Sequence, residues 1–145
     1  MDQDEKAWRG YLIGFPIALV VFAAMDSVWL TLSYDRLYRP ELGSIMSGRA
    51  DLTAGIAFYL IYLAGMTHFV IAPNIKQGGV ARSLINGALL GAMCYATYDL
   101  TNLATLKVWS VKVTLFDLAW GVVATGVACA VSTGLTRKWL KPRGF

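Results

Sequence analysis

Three carboxylates, Asp26, Asp99 and Asp117, interrupt stretches of chain that are otherwise apolar. A charged residue near the centre of a membrane-spanning helix costs about 2.5–3.5 kcal/mol on insertion scales, so such residues face a bundle interior and find partners there. Tyr95, Asp99 and Asn102 recur at i, i+4 and i+7, which puts them on one face of a helix. That face continues through Ala88 and Gly91 or Ala92, and Asp117, Gly121, Ala124 and Ala128 form a similar stripe. Carboxyls beside phenols and an amide can receive a polar headgroup. They can also act as general acid or base, with Tyr95 or Tyr98 as proton donor, or carry protons along a transport path. The same groups also serve simply as interhelical hydrogen bonds, worth about 0.6–2 kcal/mol each. Trp29, Tyr59, Tyr98 and Trp120 can line or roof such a pocket, although interfacial anchoring explains many aromatic residues of this kind. Lys107 and Lys112 follow the polar face and are expected at the rim, where they would counter its charge.

The elements that must position these residues are set by composition. The 145 residues are 57% hydrophobic and 15% charged, where a soluble domain carries about 25% charged residues. Mean hydropathy is +0.53. These values exclude a disordered chain, a disulfide-rich secreted miniprotein and a coiled coil. Apolar runs cover about residues 10–32, 53–73, 84–106 and 113–135, each long enough for a helix to cross roughly 30 Å of hydrocarbon. The runs are continuous rather than alternating, so barrel strands are excluded. The fold class is therefore all-α integral membrane, a bundle of four transmembrane helices in one domain over 1–145. Pro16 lies inside the first span, where a kink is expected. Residues 34–47, with Tyr34, Leu37, Tyr38, Leu42, Ile45 and Met46 among polar neighbours, read equally as an interfacial amphipathic helix or as a solvated loop. Gly78-Gly79 marks a turn between the second and third spans.

At 1.5 Å per residue, Asp26 lies roughly 7 Å beyond the midpoint of its span. Asp99 lies to the same side, and Asp117 stands near the start of the last span. All three acids fall in one half of the membrane, opposite the termini. Small residues fill the other half of the third and fourth spans and permit close helix approach. The expected shape is a bundle closed at the inner end with a polar pocket opening outward. His68 sits inward of its own midpoint, on the order of 15 Å from the acids. It is expected to hydrogen-bond between helices rather than to form a dyad or metal site with them.

Net charge is +4 and pI about 9.2. Lys6, Arg9, Lys76, Arg82, Arg137, Lys138, Lys141 and Arg143 share one side, against Arg36, Arg39, Arg49, Lys107 and Lys112 on the other. Eight against five favours both termini in the cytoplasm. No basic patch interleaved with aromatics points to nucleic acid. Cys94 and Cys129 lie mid-span without a CxxC and read as packing residues. The acidic N-terminus favours a retained first span over a cleaved signal. No nucleophile elbow, phosphate loop, nucleotide fingerprint or metal motif is present, so no cofactor and no metal is expected. Gly10-x-x-x-Gly14 and Gly87-x-x-x-Gly91 fit close helix packing.

The string Tyr95-Ala96-Thr97-Tyr98-Asp99-Leu100-Thr101-Asn102-Leu103-Ala104-Thr105-Leu106-Lys107, followed by Trp109, closely resembles the signature of the DUF2177 family of small predicted bacterial membrane proteins. Asp117-Leu118-Ala119-Trp120-Gly121 resembles the last-span motif of that family, Asp26-Ser27-Val28-Trp29-Leu30 its first-span motif, and Phe58-Tyr59 fits its second span. The resemblance spans nearly the whole chain. It implies four helices and no established activity. Its members' genes often look like neighbours of lipid-modifying ones, such as cyclopropane-fatty-acid-synthase-like methyltransferases, which associates the family with membrane-lipid metabolism or stress.

Three functions follow, in this order. The first is a binding or accessory protein that holds a lipid-like or other hydrophobic molecule in the pocket or docks on a larger membrane complex. The second is a membrane-embedded enzyme acting on lipid through Asp26 or Asp99. The third is a proton-linked transporter built as a homodimer, which the off-centre position of the acids disfavours. The residues expected to bind are Asp26, Trp29, Tyr59, Tyr95, Tyr98, Asp99, Asn102, Asp117 and Trp120.

Overall fold

A computed structural model describes residues 3–140. The side chain of Lys6 and all of Lys141 and Arg143, which enter the charge count above, lie outside the described residues. Those residues form helices joined by turns and short irregular links, with no strand among them. Helix α1 spans Gln3–Ser33 and passes Pro16 without a break. A π-helical turn, Tyr34–Tyr38, continues it into the single turn of α2, Arg39–Leu42. Helix α3 runs Leu52–Met66 and extends through a π-helical turn at Thr67–Ile71. After a further π turn at Asn74–Gly78 come α4, Gly79–Thr105, and α5, Val111–Leu140.

Local chemistry sets these boundaries. Asp51 caps α3 by accepting the backbone N–H groups of Thr53 and Ala54 at 2.9 and 3.1 Å. Ser110 performs the same service for α5 through the Val113 N–H at 3.3 Å. Gly79 has φ +75° and divides α3 from α4. A side chain is strained at that φ, which is why glycine stands there. Segment 34–42, read from sequence as either surface helix or loop, is helical and folds its apolar side inward. Leu37 and Leu42 are buried with Val113, and Trp29, Tyr38, Met46 and Trp109 pack around them.

Three stretches are long and apolar enough to cross a membrane: Trp8–Leu42, Leu52–Thr105 and Val111–Leu140. The sides they present outward are apolar. Val20, Ile61, Leu89 and Leu115 are among many large hydrophobic side chains left exposed. The interior is correspondingly small and polar, with Ser83, Thr125, Ser132, Thr133 and Thr136 fully buried. A soluble protein inverts this arrangement; a protein solvated by lipid does not need to. Hydroxyls along the helices bond back to carbonyls four residues earlier, as Thr67 does to Leu63 and Thr97 to Met93, both at 2.7 Å. They are thus satisfied without water.

The tightest seam joins α4 and α5. Every fourth residue of α4 from Ser83 to Asp99 meets every fourth residue of α5 from Thr133 back to Asp117. The Ser83 and Thr133 hydroxyls are 2.8 Å apart. Gly87 backs onto Cys129, where a β-carbon would come within 2.8 Å of the Cys129 Cβ. Gly91 leaves no room for a β-carbon beside the Gly121 carbonyl, and Gly121 in turn receives the ring of Tyr95. Of the stripe expected on α4 through Ala88 and Gly91 or Ala92, Gly91 does face α5, with Gly87 and Ser83 in line with it, while Ala88 meets Gly126 at the edge of the contact. On α5, Ala124 and Ala128 turn away into a core with Ala18, Phe22, Leu63 and Met66. Helix α1 closes against α5 at Gly14, whose carbonyl accepts the Ser132 hydroxyl at 2.7 Å.

Candidate functional site

Where the α4–α5 seam reaches Tyr95 and Asp99 its character changes from small residues to rings and carboxyls. The helical phase that buries Gly87 and Gly91 also buries Asp99, two turns further on. Asp99 has no exposed surface, and no N–H or hydroxyl donor among the described residues reaches either of its side-chain oxygens. Asp117 lies beside it, carboxyl against carboxyl, close enough for the two to share a proton.

The other two acids are well provided for. On α1, Asp26 accepts the Tyr59 hydroxyl of α3 at 2.5 Å and the Trp120 indole N–H of α5 at 3.3 Å. Trp120 stacks on Trp29, with centroids 4.8 Å apart and planes 6° from parallel. The Trp29 indole N–H donates to the Tyr38 hydroxyl at 2.8 Å, and Tyr38 donates to Asp117 Oδ1. A relay of neutral donors thus runs Tyr59–Asp26–Trp120, across the stacked indoles, and on through Tyr38 to Asp117. It ties α1, α3 and α5 together at one level. Neutral O–H and N–H groups, rather than cations, satisfy these carboxyls.

Lysine rim charges were expected to counter the acids, and the structure corrects this. Lys112 pairs with Glu41 at 3.7 Å, and the other ion pairs among the described residues are Arg9–Glu5 and Arg39–Asp35. None reaches Asp26, Asp99 or Asp117. Lys107 is exposed beyond the end of α4. With Arg36, Lys112 lines a separate cavity beside Trp29 and Phe116.

Two cavities flank Asp117. One, of about 360 Å³, lies between α3 and α4 and is lined by Phe58, Tyr62, Cys94, Tyr95, Tyr98 and Asp117. The second, of about 320 Å³, lies under the 34–46 segment, among Leu30, Tyr38, Leu42, Met46 and Trp109. Tyr98 and Asp117 line both. Their walls are therefore aromatic, and their polar end is a single carboxyl. Asp26, Tyr59 and Trp120 stand behind these walls and line neither cavity. Asn102 uses its backbone carbonyl to accept the Leu106 N–H at 2.9 Å and close the end of α4. Its side chain makes no hydrogen bond to the acids. His68 bonds the Tyr11 hydroxyl at 2.8 Å between α3 and α1, apart from the acids.

Sequence reasoning missed Tyr38 and Tyr62 as site residues. Tyr38 belongs to the run Tyr34, Leu37, Tyr38, Leu42, a helical stripe whose period pointed inward. Tyr62 follows Tyr59 by one turn. Its hydroxyl meets the Thr125 hydroxyl at 2.7 Å, and its ring meets Tyr95 edge-on at 6.5 Å. Trp109, quoted only as part of a motif, packs edge-on against Tyr98 at 5.6 Å.

The model of a family described as "Predicted membrane protein (DUF2177)" matches residues 11–134, which include every acid and ring of this site. No curated protein and no solved structure matches the chain.

Proposed function

The chain belongs to the DUF2177 family of predicted membrane proteins, and from that premise we propose that it is a four-span helix bundle that binds a lipid-like molecule. The observation that carries this reading is the aromatic-walled cavity of about 360 Å³ that ends on the Asp117 carboxyl. Pockets for amphiphiles combine an apolar wall with a few placed polar groups, and this cavity has that composition. Enzymatic use of the acids finds less support. Asp26 is held by two donors and faces neither cavity, and Asp99 is sealed from both.

Four spans rest on length and on the break at Gly79. A straight helix over the 54 residues Leu52–Thr105 would extend about 80 Å, far beyond one bilayer core. Folded at Gly78–Gly79, the stretch gives two antiparallel spans, and the Tyr62–Tyr95 contact agrees with that register. The setting we propose is a bacterial inner membrane with both termini cytoplasmic, supported by the lysine and arginine distribution.

Extraction of the protein in a mild detergent, followed by native mass spectrometry, tests the reading. We expect a bound lipid-like molecule at a fixed ratio in the wild type and its loss in Tyr95→Ala. Protein that comes through delipidation and lipid re-addition without retaining any amphiphile would refute it.

A further inference from the structure

We infer that the occupant of the cavity carries a positively charged, ammonium-type headgroup. This rests on the binding reading above and names the chemical class of its ligand.

The argument begins with charge. Asp26, Asp99 and Asp117 form a layer of three carboxyls inside the helix bundle, and among the described residues no cationic side chain pairs with any of them. Only Asp117 lines the cavities. Its Oδ1 accepts the Tyr38 hydroxyl, and its carboxyl meets that of Asp99. Asp99 sits behind it, fully buried, and no N–H or hydroxyl donor among the described residues reaches its oxygens. Two adjoining carboxyls in a low-dielectric interior share one proton, so the pair keeps one negative charge, which a cation meets at Asp117. That charge is poorly screened in such a medium.

The walls agree with the charge. Phe58, Tyr62, Tyr95 and Tyr98 surround one cavity, and Tyr38, Tyr98 and Trp109 stand in the other. Aromatic faces attract ammonium groups and are the usual surroundings of quaternary amines. An anionic headgroup would meet both the acids and the negative ring faces. A metal ion needs several oxygen donors gathered at one point, and among the described residues no group of three acids, histidines or cysteines is so placed. An organic cation needs only one carboxyl and several rings, which is what the cavity offers. Leu30, Leu42 and Met46 in the second cavity provide an apolar run for the attached chain.

The test uses the full-length protein in dodecyl maltoside and reads thermal stabilisation and tryptophan fluorescence. The probes are dodecyltrimethylammonium and dodecyl phosphate, which share a chain and differ in headgroup charge. We expect the ammonium probe to bind at least about tenfold more tightly, and Asp117→Asn to abolish that preference. Tyr98 is 58% exposed, so Tyr98→Leu should fold normally. It should weaken the ammonium probe several-fold more than the phosphate probe. Equal binding of both probes, or an undiminished preference in both variants, overturns the headgroup inference while leaving amphiphile binding intact. Binding of neither probe instead removes the binding reading itself. Reconstitution into bilayers with and without phosphatidylethanolamine separates the two sources of an ammonium. Competition by that lipid against the probe identifies a bilayer headgroup; undiminished probe binding identifies a free amphiphilic amine.

Discussion

The half of the α4–α5 seam nearer the chain termini, called inner, and the half nearer the acids, called outer, share one register and differ in what fills it. From Ser83 to Gly91 the contact is made by glycine, serine, cysteine and threonine, and it leaves no space for an added β-carbon. From Tyr95 to Asp99 the same four-residue step delivers a ring and a fully buried carboxyl, and cavities open on either side of Asp117. The inner half gains its stability from close approach of two backbones, because lipid supplies no hydrophobic force between helices. The outer half gives up that approach. At that level the Tyr59–Asp26–Trp120 and Trp29–Tyr38–Asp117 hydrogen bonds hold α5 to α1, α3 and the 34–38 turn instead. Tolerance to substitution should therefore differ sharply along one pair of helices.

The largest effect belongs to the inner half. Gly91→Leu would drive a side chain into the Gly121 carbonyl, and backbone cannot yield as a side-chain tip does. Overpacking of this kind costs about 1–3 kcal/mol or more. We expect most of the protein to lose its folded state, read as loss of a monodisperse peak in detergent size-exclusion chromatography. A well-folded Gly91→Leu protein would break the comparison.

Next come two substitutions that should move in opposite directions. Asp26→Ala leaves the Tyr59 hydroxyl and the Trp120 N–H without their acceptor, a loss of about 1–3 kcal/mol in denaturant titration. Asp99→Asn replaces a carboxyl pressed against Asp117 by an amide that donates to it, and so removes the like-charge contact while keeping a hydrogen bond. We expect it to raise stability by about 1 kcal/mol and to weaken the ligand. A residue that costs stability where a near-isostere would improve it is retained for use rather than for folding. If Asp99→Asn instead destabilises as much as Asp26→Ala, the outer layer is scaffold.

Much of this contrast was legible in the residues. Periodicity placed Tyr95 and Asp99 on one face and Asp117 and Gly121 on another, and rise per residue put the three acids at one depth. Periodicity does not say which neighbour a face meets. Ala88 and Ala92 look as suitable for close packing as Gly87 and Gly91, and only the fitted pair of helices separates them. The role of Tyr38 was hidden for a different reason. A π-helical turn changes the phase of the residues that follow it, so a ring in a segment that reads equally as loop or helix arrives at Asp117 from the next element. The rim lysines show the same limit. Proximity in sequence to the polar face suggested countercharge, but Glu41, 71 positions away, is the nearer partner of Lys112.

The smaller effects sharpen the comparison by measuring one hydrogen bond in each half. Tyr38→Phe removes the hydroxyl that both accepts from Trp29 and donates to Asp117, and we expect a loss of about 1 kcal/mol. Ser83→Ala removes one hydroxyl from a seam whose glycines remain, and interhelical bonds of this type average about 0.6 kcal/mol. A double-mutant cycle of Ser83→Ala with Thr133→Val should return a coupling of about that size. If the seam depends on backbone approach, this coupling stays small while Gly91→Leu remains severe. A coupling as large as the Asp26→Ala effect would mean that hydrogen bonding holds the inner half as well, and the two halves would then differ only in the size of their side chains.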